Sequence, residues 1–177
     1  MQQSWRADHD KLTFIACIPV DGPSEYIVEG TQDAPSRIIG DVNLFFSAAD
    51  EDVEGCIGEL ELMIARPSLR RRGYGRATIL AFLRYIEVHL QEILDEYKKN
   101  QSVEKMSLLQ LKVKVGSKNE KSIKLFESVG FVKAKEGPNY FDEIELVFGD
   151  NLDEEGTSEL LKKYKIQGYR EMPYFRS

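Results

Sequence analysis

Arg70-Arg71-Arg72-Gly73-Tyr74-Gly75 decides the fold of this 177-residue chain, because of the elements that flank it. Residues 57–65 precede it and have the composition of a strand, which Arg66-Pro67-Ser68 ends. Residues 75–97 follow it and repeat apolar side chains at helical spacing, which predicts one long helix. Glycines between a strand and a helix leave backbone N–H groups free to point at one spot, and the helix N-terminus adds partial positive charge there. The junction therefore predicts a loop that binds a phosphate group.

The glycine spacing excludes two common phosphate loops. No Lys-Ser or Lys-Thr pair follows the second glycine, as a Walker loop requires, and Thr78 stands where the dinucleotide fingerprint has its third glycine. The plainer alternative is a glycine-bearing turn with solvated arginines. A second motif favours the functional interpretation, because it follows a predicted strand at residues 108–115: Asn119-Glu120-Lys121-Ser122-Ile123-Lys124-Leu125-Phe126-Glu127-Ser128-Val129-Gly130-Phe131.

These two motifs, in this order, resemble the GCN5-related N-acetyltransferase (GNAT) family. The segments 39–45 and 58–67 are most similar to the N-acetyltransferase 9-like members, and the similarity covers roughly residues 3–148. The resemblance implies an α/β acyl-CoA N-acyltransferase fold, with a mixed, mainly antiparallel central sheet and flanking helices. Family members have an opening strand and helix before the segment that resembles Ser4-Trp5. We therefore expect an N-terminally incomplete acetyltransferase domain at 1–148, with the sheet edge at residues 12–18 left unpaired, and a C-terminal tail at 149–177 that includes a short helix.

The resemblance also implies acetyl-CoA as co-substrate and a place for it. The strands at 57–65 and 108–115 would splay apart, the pantetheine arm would pair with backbone between them, and the pyrophosphate would lie on the amides of the glycine loop. Asn119 is either a cofactor contact or only a helix cap, and both roles are compatible. The implied cofactor-binding set is Met63, Ala65, Arg70, Arg71, Arg72, Gly73, Tyr74, Gly75, Arg76, Asn119 and Phe126.

Two glutamates are candidates for the catalytic base. Glu59 and Glu61 lie two apart on a predicted strand, so their side chains share one face. Family members often use a strand glutamate, directly or through water, to deprotonate the amine. The alternative is that both carboxylates face solvent or pair with the lysines of the neighbouring strand.

Phe126 departs from the family pattern. Many family enzymes carry a tyrosine at this position, which protonates the departing CoA thiolate. Phenylalanine cannot donate a proton, so the step would need water or Tyr140 or would proceed without an acid.

Composition excludes other classes of function. A net charge of −6 argues against a nucleic-acid partner, and makes the five arginines between residues 66 and 76 a local anion site in an acidic protein, or else a solvated loop. Two cysteines, interpreted as free thiols, and two histidines are too few and too scattered for a metal site. The sequence shows no secretory signal and no apolar stretch of membrane-spanning length, so we expect no membrane partner and a cytoplasmic protein.

The combined prediction is an N-acetyltransferase that moves acetyl from acetyl-CoA to an amine. By resemblance the acceptor is a protein amine, with an N-terminal α-amine the leading candidate and tubulin a possible partner. The alternative is a non-catalytic acyl-CoA-binding or cytoskeleton-associated scaffold protein, which Phe126 and the incomplete N-terminus favour. A third interpretation is a truncated product that folds poorly.

Overall fold

A six-stranded mixed sheet with helices packed on it forms the centre of the molecule. The computed structural model describes residues 8–19, 25–49, 54–99, 106–149, 152–166 and 168–176. The strands are β1 (Lys11–Cys17), β2 (Ile27–Val28), β3 (Ile38–Ala48), β4 (Cys56–Ile64), β5 (Leu108–Gly116), β6 (Phe131–Lys133), β7 (Glu143–Phe148) and β8 (Tyr174–Phe175). The helices are α1 (Tyr74–Val88), α2 (Leu90–Lys98), α3 (Glu120–Ser128) and α4 (Glu154–Lys163), with a 3-10 turn at Pro67–Leu69.

The strand order is β1-β3-β4-β5-β7-β6. Within this sheet β4 and β5 run parallel, whereas the other neighbouring strands pair antiparallel. The predicted mixed, mainly antiparallel sheet is therefore confirmed. A small parallel pair between β2 and β8 was not predicted, because two-residue strands leave no periodic pattern in the sequence.

Strand alternation divides the sheet into an apolar and a polar face. On β4, Gly58 and Leu60 are buried, whereas Glu59 and Glu61 point to the opposite face. The apolar face packs against α1 and α3 and forms one core. Its fully or nearly fully buried members include Val42, Leu44, Leu60, Ile79, Leu83, Ile86, Leu111, Val113, Ile123, Phe131 and Leu146.

The prediction of a single helix over residues 75–97 is wrong. The helix is interrupted at His89, between α1 and α2, where the backbone dihedral angles depart from helical values (φ −107°, ψ 15°). Leu94 and Tyr97 remain buried after the break. The apolar periodicity therefore runs through the kink, and this is why the sequence pattern did not reveal it.

Strand β1 forms an edge of the sheet. Among the described residues it pairs only with β3, as the sequence predicted. The predicted tail helix is confirmed as α4, which packs on α1 through Thr157 and Leu160. Arg84 of α1 donates a hydrogen bond to the Thr157 hydroxyl at 3.2 Å. Ser4 and Trp5, on which part of the family resemblance rests, lie outside the described residues.

None of the described helices has both the length and the apolar composition needed to cross a membrane.

Candidate functional site

A cleft opens in the middle of the sheet, where β4 and β5 stop pairing. Their parallel register runs from Cys56 opposite Leu108 to Glu59 opposite Lys112, and ends there. Beyond that point β4 continues to Ile64 on β3, while β5 continues on β7. We call the gap between residues 60–64 and residues 113–116 the strand cleft. The predicted splay of these two strands is therefore present, and each strand presents unpaired backbone to the gap.

The backbone groups that face the strand cleft belong to even-numbered residues of β4. The Cys56 N–H donates to the Ser107 carbonyl oxygen at 2.8 Å, so this residue directs its backbone towards β5. Backbone direction alternates along a strand, so Leu62 and Ile64 direct theirs the same way, beyond the end of the pairing.

Met63 and Ala65, the predicted contacts of the pantetheine arm, direct their backbone away from the strand cleft. The Ala65 N–H donates to the Ile39 carbonyl oxygen at 2.7 Å, which turns it towards β3. The Met63 carbonyl oxygen faces β3 as well, since a Cβ built on Gly40 would lie 1.7 Å from it. The backbone that faces the strand cleft therefore belongs to Leu62 and Ile64, each one residue before a predicted contact.

The predicted phosphate loop lies at the N-terminus of α1. Gly73 occupies the N-cap position with φ 89°, a left-handed conformation that glycine adopts without a steric penalty, and no side chain caps the helix. Arg71 also has positive φ, 66°. Among the hydrogen bonds between described residues, none uses the N–H groups of residues 71–75 as donor. Exposed, uncapped amides at a helix N-terminus are suited to an anion.

The four loop arginines differ in exposure and in hydrogen-bond partners. Arg71 and Arg72 are exposed beside the free amides. Arg70 folds back onto the end of β4, where its Nε–H donates to the Ile64 carbonyl oxygen at 2.8 Å. Its Nη2 donates to the Ala65 carbonyl oxygen at 3.4 Å. Arg70 therefore braces the loop against β4 and occupies one of the carbonyl oxygens that face the strand cleft.

Arg76 points to the far side of α1. Its guanidinium lies 4.4 Å from the ring centroid of Tyr164, and its Nη2 donates to the Ser128 hydroxyl at 3.4 Å. The Tyr164 hydroxyl donates to the Ser128 carbonyl oxygen. These contacts tie α1 to the end of α3 and to the tail, which makes Arg76 a weaker cofactor candidate than Arg71 or Arg72.

Gly75 and Tyr74 fix how α1 sits on the sheet. A Cβ at Gly75 would lie 3.3 Å from Leu125 of α3 and 3.4 Å from Leu62 of β4, so this glycine permits close approach of the three elements. The Tyr74 side chain lines a cavity beside β1, so only its backbone belongs to the loop.

Asn119 caps α3, as its sequence position predicted. Its Oδ1 accepts a hydrogen bond from the Ser122 N–H at 3.3 Å. The residue also lines a cavity of about 740 Å³ at the end of β5, together with Gly116, Ser117 and Phe141. The cap and a ligand contact are therefore compatible at this position.

Phe126 is a core residue of α3. Its side chain is buried, and its ring meets that of Phe131 edge-on at a centroid distance of 5.3 Å. The ring contributes apolar surface to the core, whatever its relation to a cofactor.

The two candidate bases have different surroundings. The Glu59 carboxylate forms an ion pair with the Lys114 ammonium at 2.7 Å, and this hydrogen bond raises the pKa of Lys114. Lys112 is paired with Glu145 at 3.6 Å. Glu61 is exposed and forms no ion pair among the described residues. Of the two predicted carboxylates, only Glu59 is therefore ion-paired among the described residues.

The nearest neighbour of Glu61 on β3 is the buried amide of Asn43, which lies directly opposite in the register. The Asn43 Oδ1 accepts a hydrogen bond from the Thr13 hydroxyl at 2.7 Å, and its Nδ2 donates to Asp41 at 2.7 Å. A polar row thus crosses three strands beside the strand cleft. Sequence reasoning did not find Asn43, because cross-strand register is invisible without the pairing.

Comparisons with known proteins complete the description of the site. A family profile described as an acetyltransferase (GNAT) domain matches residues 2–132. The chain is 35% identical over 170 residues to an N-acetyltransferase 9-like protein from Schizosaccharomyces pombe, which covers 82% of this chain and 73% of that protein. It is 35% identical over 135 residues to alpha/beta-tubulin-N-acetyltransferase 9 from Drosophila melanogaster, which covers 76% of this chain and 57% of that protein. The chain therefore spans about half to three quarters of the length of the curated relatives it matches.

A solved structure has a similar fold. Mutant forms of the spermidine/spermine N-acetyltransferase from Vibrio cholerae align with a TM-score of 0.53 and 18% identity, over 91% of this chain and 75% of that chain. At this identity the likeness concerns the fold alone.

Proposed function

Because the chain belongs to the GNAT acetyltransferase family, we propose that it transfers an acetyl group from acetyl-CoA to an amine, with a protein N-terminal α-amine as the acceptor. One observation carries the proposal. The strand cleft between β4 and β5 leads to the uncapped N-terminus of α1, so an extended chain with a diphosphate at one end fits both features at once. The arm would pair with the free backbone of Leu62, and the diphosphate would lie on the amides of residues 71–75.

The chemistry asks little of the protein beyond positioning. The thioester must be held still, and the amine must lose its proton to attack the carbonyl carbon. Attack forms the new C–N bond, collapse of the intermediate breaks the C–S bond, and the thiolate leaves with the electron pair. An N-terminal α-amine has an ordinary pKa of about 7.7–8.0, so a large fraction is neutral at physiological pH and a modest base is enough. Glu61 is the proposed base, directly or through water.

The names of the relatives guide the choice of acceptor. Several are tubulin N-acetyltransferases, so peptides with the N-terminal sequences of α- and β-tubulin are the first acceptors to test. The position of Phe126 supports the alternative, an acyl-CoA-binding scaffold protein without turnover, because a buried phenyl ring cannot protonate the thiolate.

The first experiment measures acetyl-CoA binding by calorimetry. Gly73→Val places a branched side chain where φ is 89° and where the anion would approach, and should weaken binding at least tenfold, about 1.4 kcal/mol. Gly137→Val is the matched control, since Gly137 has φ 77° and equally open surroundings in the turn between β6 and β7. Equal affinity in both folded variants and the wild type would refute the loop as the binding site.

The second experiment measures acetyl transfer to the tubulin peptides. Glu61→Gln should lower kcat by about 10²-fold with little change in acetyl-CoA affinity, as expected for loss of a general base. Glu59→Gln removes a carboxylate from the same face but one that is already paired with Lys114, and should cost less. Binding of acetyl-CoA without transfer to any amine would favour the scaffold alternative.

A further inference from the structure

His89 lies at the break between α1 and α2, and both of its ring nitrogens meet carboxylates. Nδ1 is 2.8 Å from Oε2 of Glu92, and Nε2 is 2.9 Å from both carboxylate oxygens of Glu171. An ionised carboxylate only accepts hydrogen bonds, and neutral imidazole has a single N–H. Both contacts can therefore be hydrogen bonds only when the ring is protonated.

The groups around His89 reinforce this charge state. The Tyr85 ring of α1 lies 4.5 Å from the His89 ring, between centroids, and the Tyr169 hydroxyl donates to Glu171 at 3.0 Å. Donation of hydrogen bonds to Glu92 and then Glu171 raises the pKa of His89 above its ordinary value, and acceptance of the bond from His89 lowers the pKa of Glu171.

Two further charged side chains interact electrostatically with the tyrosines around His89. Burial raises the pKa of Tyr85 most, and Glu96 on α2 adds a smaller effect in the same direction. Burial also raises the pKa of Tyr169, and Arg84 on α1 opposes it. Neither forms a direct contact with the His89 ring among the described residues.

Glu171 belongs to the segment that precedes β8. Residues 169–172 form one wall of a cavity of about 530 Å³, whose other walls are β1 and α1. Phe14 and Ile15 of β1 and Tyr85 of α1 line it. The contact between Glu171 and His89 thus joins the wall to the helix break.

We propose that His89 and Glu171 form a proton-dependent latch, which holds residues 168–172 over the cavity beside β1 and releases them as the pH rises. The direction follows from the two charges. Below the ordinary His pKa of 6.5 the ring is protonated whether the segment is latched or released, so the latch is fully formed. Above that value the released state loses its proton first, and the latch weakens as the pH passes the raised pKa of His89.

The contribution of Glu171 to the latch depends on pH in the opposite direction to that of His89. Because the pKa of Glu171 is lowered, its contribution is lost only as the pH falls through that lowered value, below its ordinary 4.5. The latch is therefore closed between these limits and opens on the alkaline side. Each unit of separation between the latched and released pKa of His89 corresponds to about a tenfold change in the closing equilibrium.

The test combines amide hydrogen exchange with titration of the imidazoles. Exchange protection of residues 168–172 is measured by mass spectrometry at pH 6.0, 7.0, 8.0 and 8.5, and each rate is divided by that of a free peptide of the same sequence. The chain has two histidines, so the NMR signals of His89 are assigned with a single His9→Asn variant. The variants are Glu171→Gln, Glu92→Gln and, as a remote loss of the same charge, Glu136→Gln in the exposed turn after β6.

Wild type and Glu136→Gln should lose protection between pH 6.0 and 8.5, with a His89 midpoint above 6.5. Glu171→Gln should give low protection at every pH. Glu92→Gln should lower the midpoint but keep the segment protected at pH 6.0, because Glu92 does not touch it. Protection that is independent of pH in the wild type, or retained in Glu171→Gln, would overturn the latch, and so would a His89 midpoint at or below 6.5.

Discussion

Gly40→Ala should destabilise the protein and disturb the strand cleft, although the change adds a single methyl group. Gly40 lies opposite Ile64, next to an irregularity in the pairing of β1 with β3. A Cβ at this position would lie 1.7 Å from the Met63 carbonyl oxygen and 2.8 Å from the Met63 carbonyl carbon. Both are backbone atoms, so no side-chain rotation can relieve the collision.

The size of the effect follows from the shift that is needed. Ordinary contact begins near 3.4 Å, so β3 and β4 must separate by 3.4 − 1.7 = 1.7 Å at this point. Overpacking that forces backbone to move typically costs 1–3 kcal/mol, and we expect about 3 kcal/mol here because the obstacle is the backbone of β4. For a domain of this size that corresponds to a fall in Tm of roughly 6–12 °C.

Urea and thermal unfolding of Gly40→Ala measure the cost, and calorimetry with acetyl-CoA measures the effect on the cleft. The matched control is Gly116→Ala on β5, at the other side of the strand cleft. Its Cβ would meet no atom within 4 Å and its φ is not positive, so the free energy of unfolding should change by less than about 0.5 kcal/mol. If Gly40→Ala is as stable as Gly116→Ala, the close approach of β3 and β4 is not what holds β4 in place, and the reasoning fails.

Three further predictions follow from burial and exposure. Phe126→Tyr should lower the free energy of unfolding by about 1–3 kcal/mol and leave acetyl-CoA affinity unchanged, because the added hydroxyl enters the core beside Phe131; a stable variant with raised turnover would show instead that the hydroxyl reaches the cofactor. Burial raises the pKa of the Cys56 thiol to about 11, so at pH 8 a thiol reagent should modify Cys17 first and Cys56 only on unfolding, and two fast thiols would contradict this. Ile15→Lys places a charge on the exposed edge strand and should reduce self-association in sedimentation experiments, unless the wild type is already monomeric at high concentration.

The sequence predicted those features that rest on local pattern. The strand–loop–helix order around the glycine loop and the cap at Asn119 each follow from spacing within a short segment. The break at His89 was not predicted, because the apolar periodicity runs through it to Leu94 and Tyr97, and neither was the contact of His89 with Glu171, 82 residues away in the chain. Local periodicity carries no information on such a contact.

The position of the glycine loop between a strand and a helix was predicted, but the contacts of its side chains were not. All four loop arginines were expected near a phosphate, yet Arg70 bonds to β4 and Arg76 stacks on Tyr164. Long side chains choose among several partners within reach, and the tail that supplies Tyr164 is not part of the motif. The choice between Met63 and Leu62 as the cleft-facing backbone likewise needs the register with β3, which a single sequence does not contain.

We propose that the two glutamates on β4 have different roles at the strand cleft, Glu59 in cofactor affinity and Glu61 in the rate of acetyl transfer. Pairing of β4 with β5 ends at Glu59, and the ion pair from Glu59 to Lys114 crosses the point where the strands diverge. Beyond this point β4 continues to pair with β3 and β5 with β7, and Leu62 is not paired with β5. Loss of that ion pair should therefore alter acetyl-CoA affinity, whereas loss of Glu61 should alter the rate of transfer. The two carboxylates share one strand face, yet only Glu59 forms an ion pair among the described residues, so the two substitutions distinguish the proposed roles.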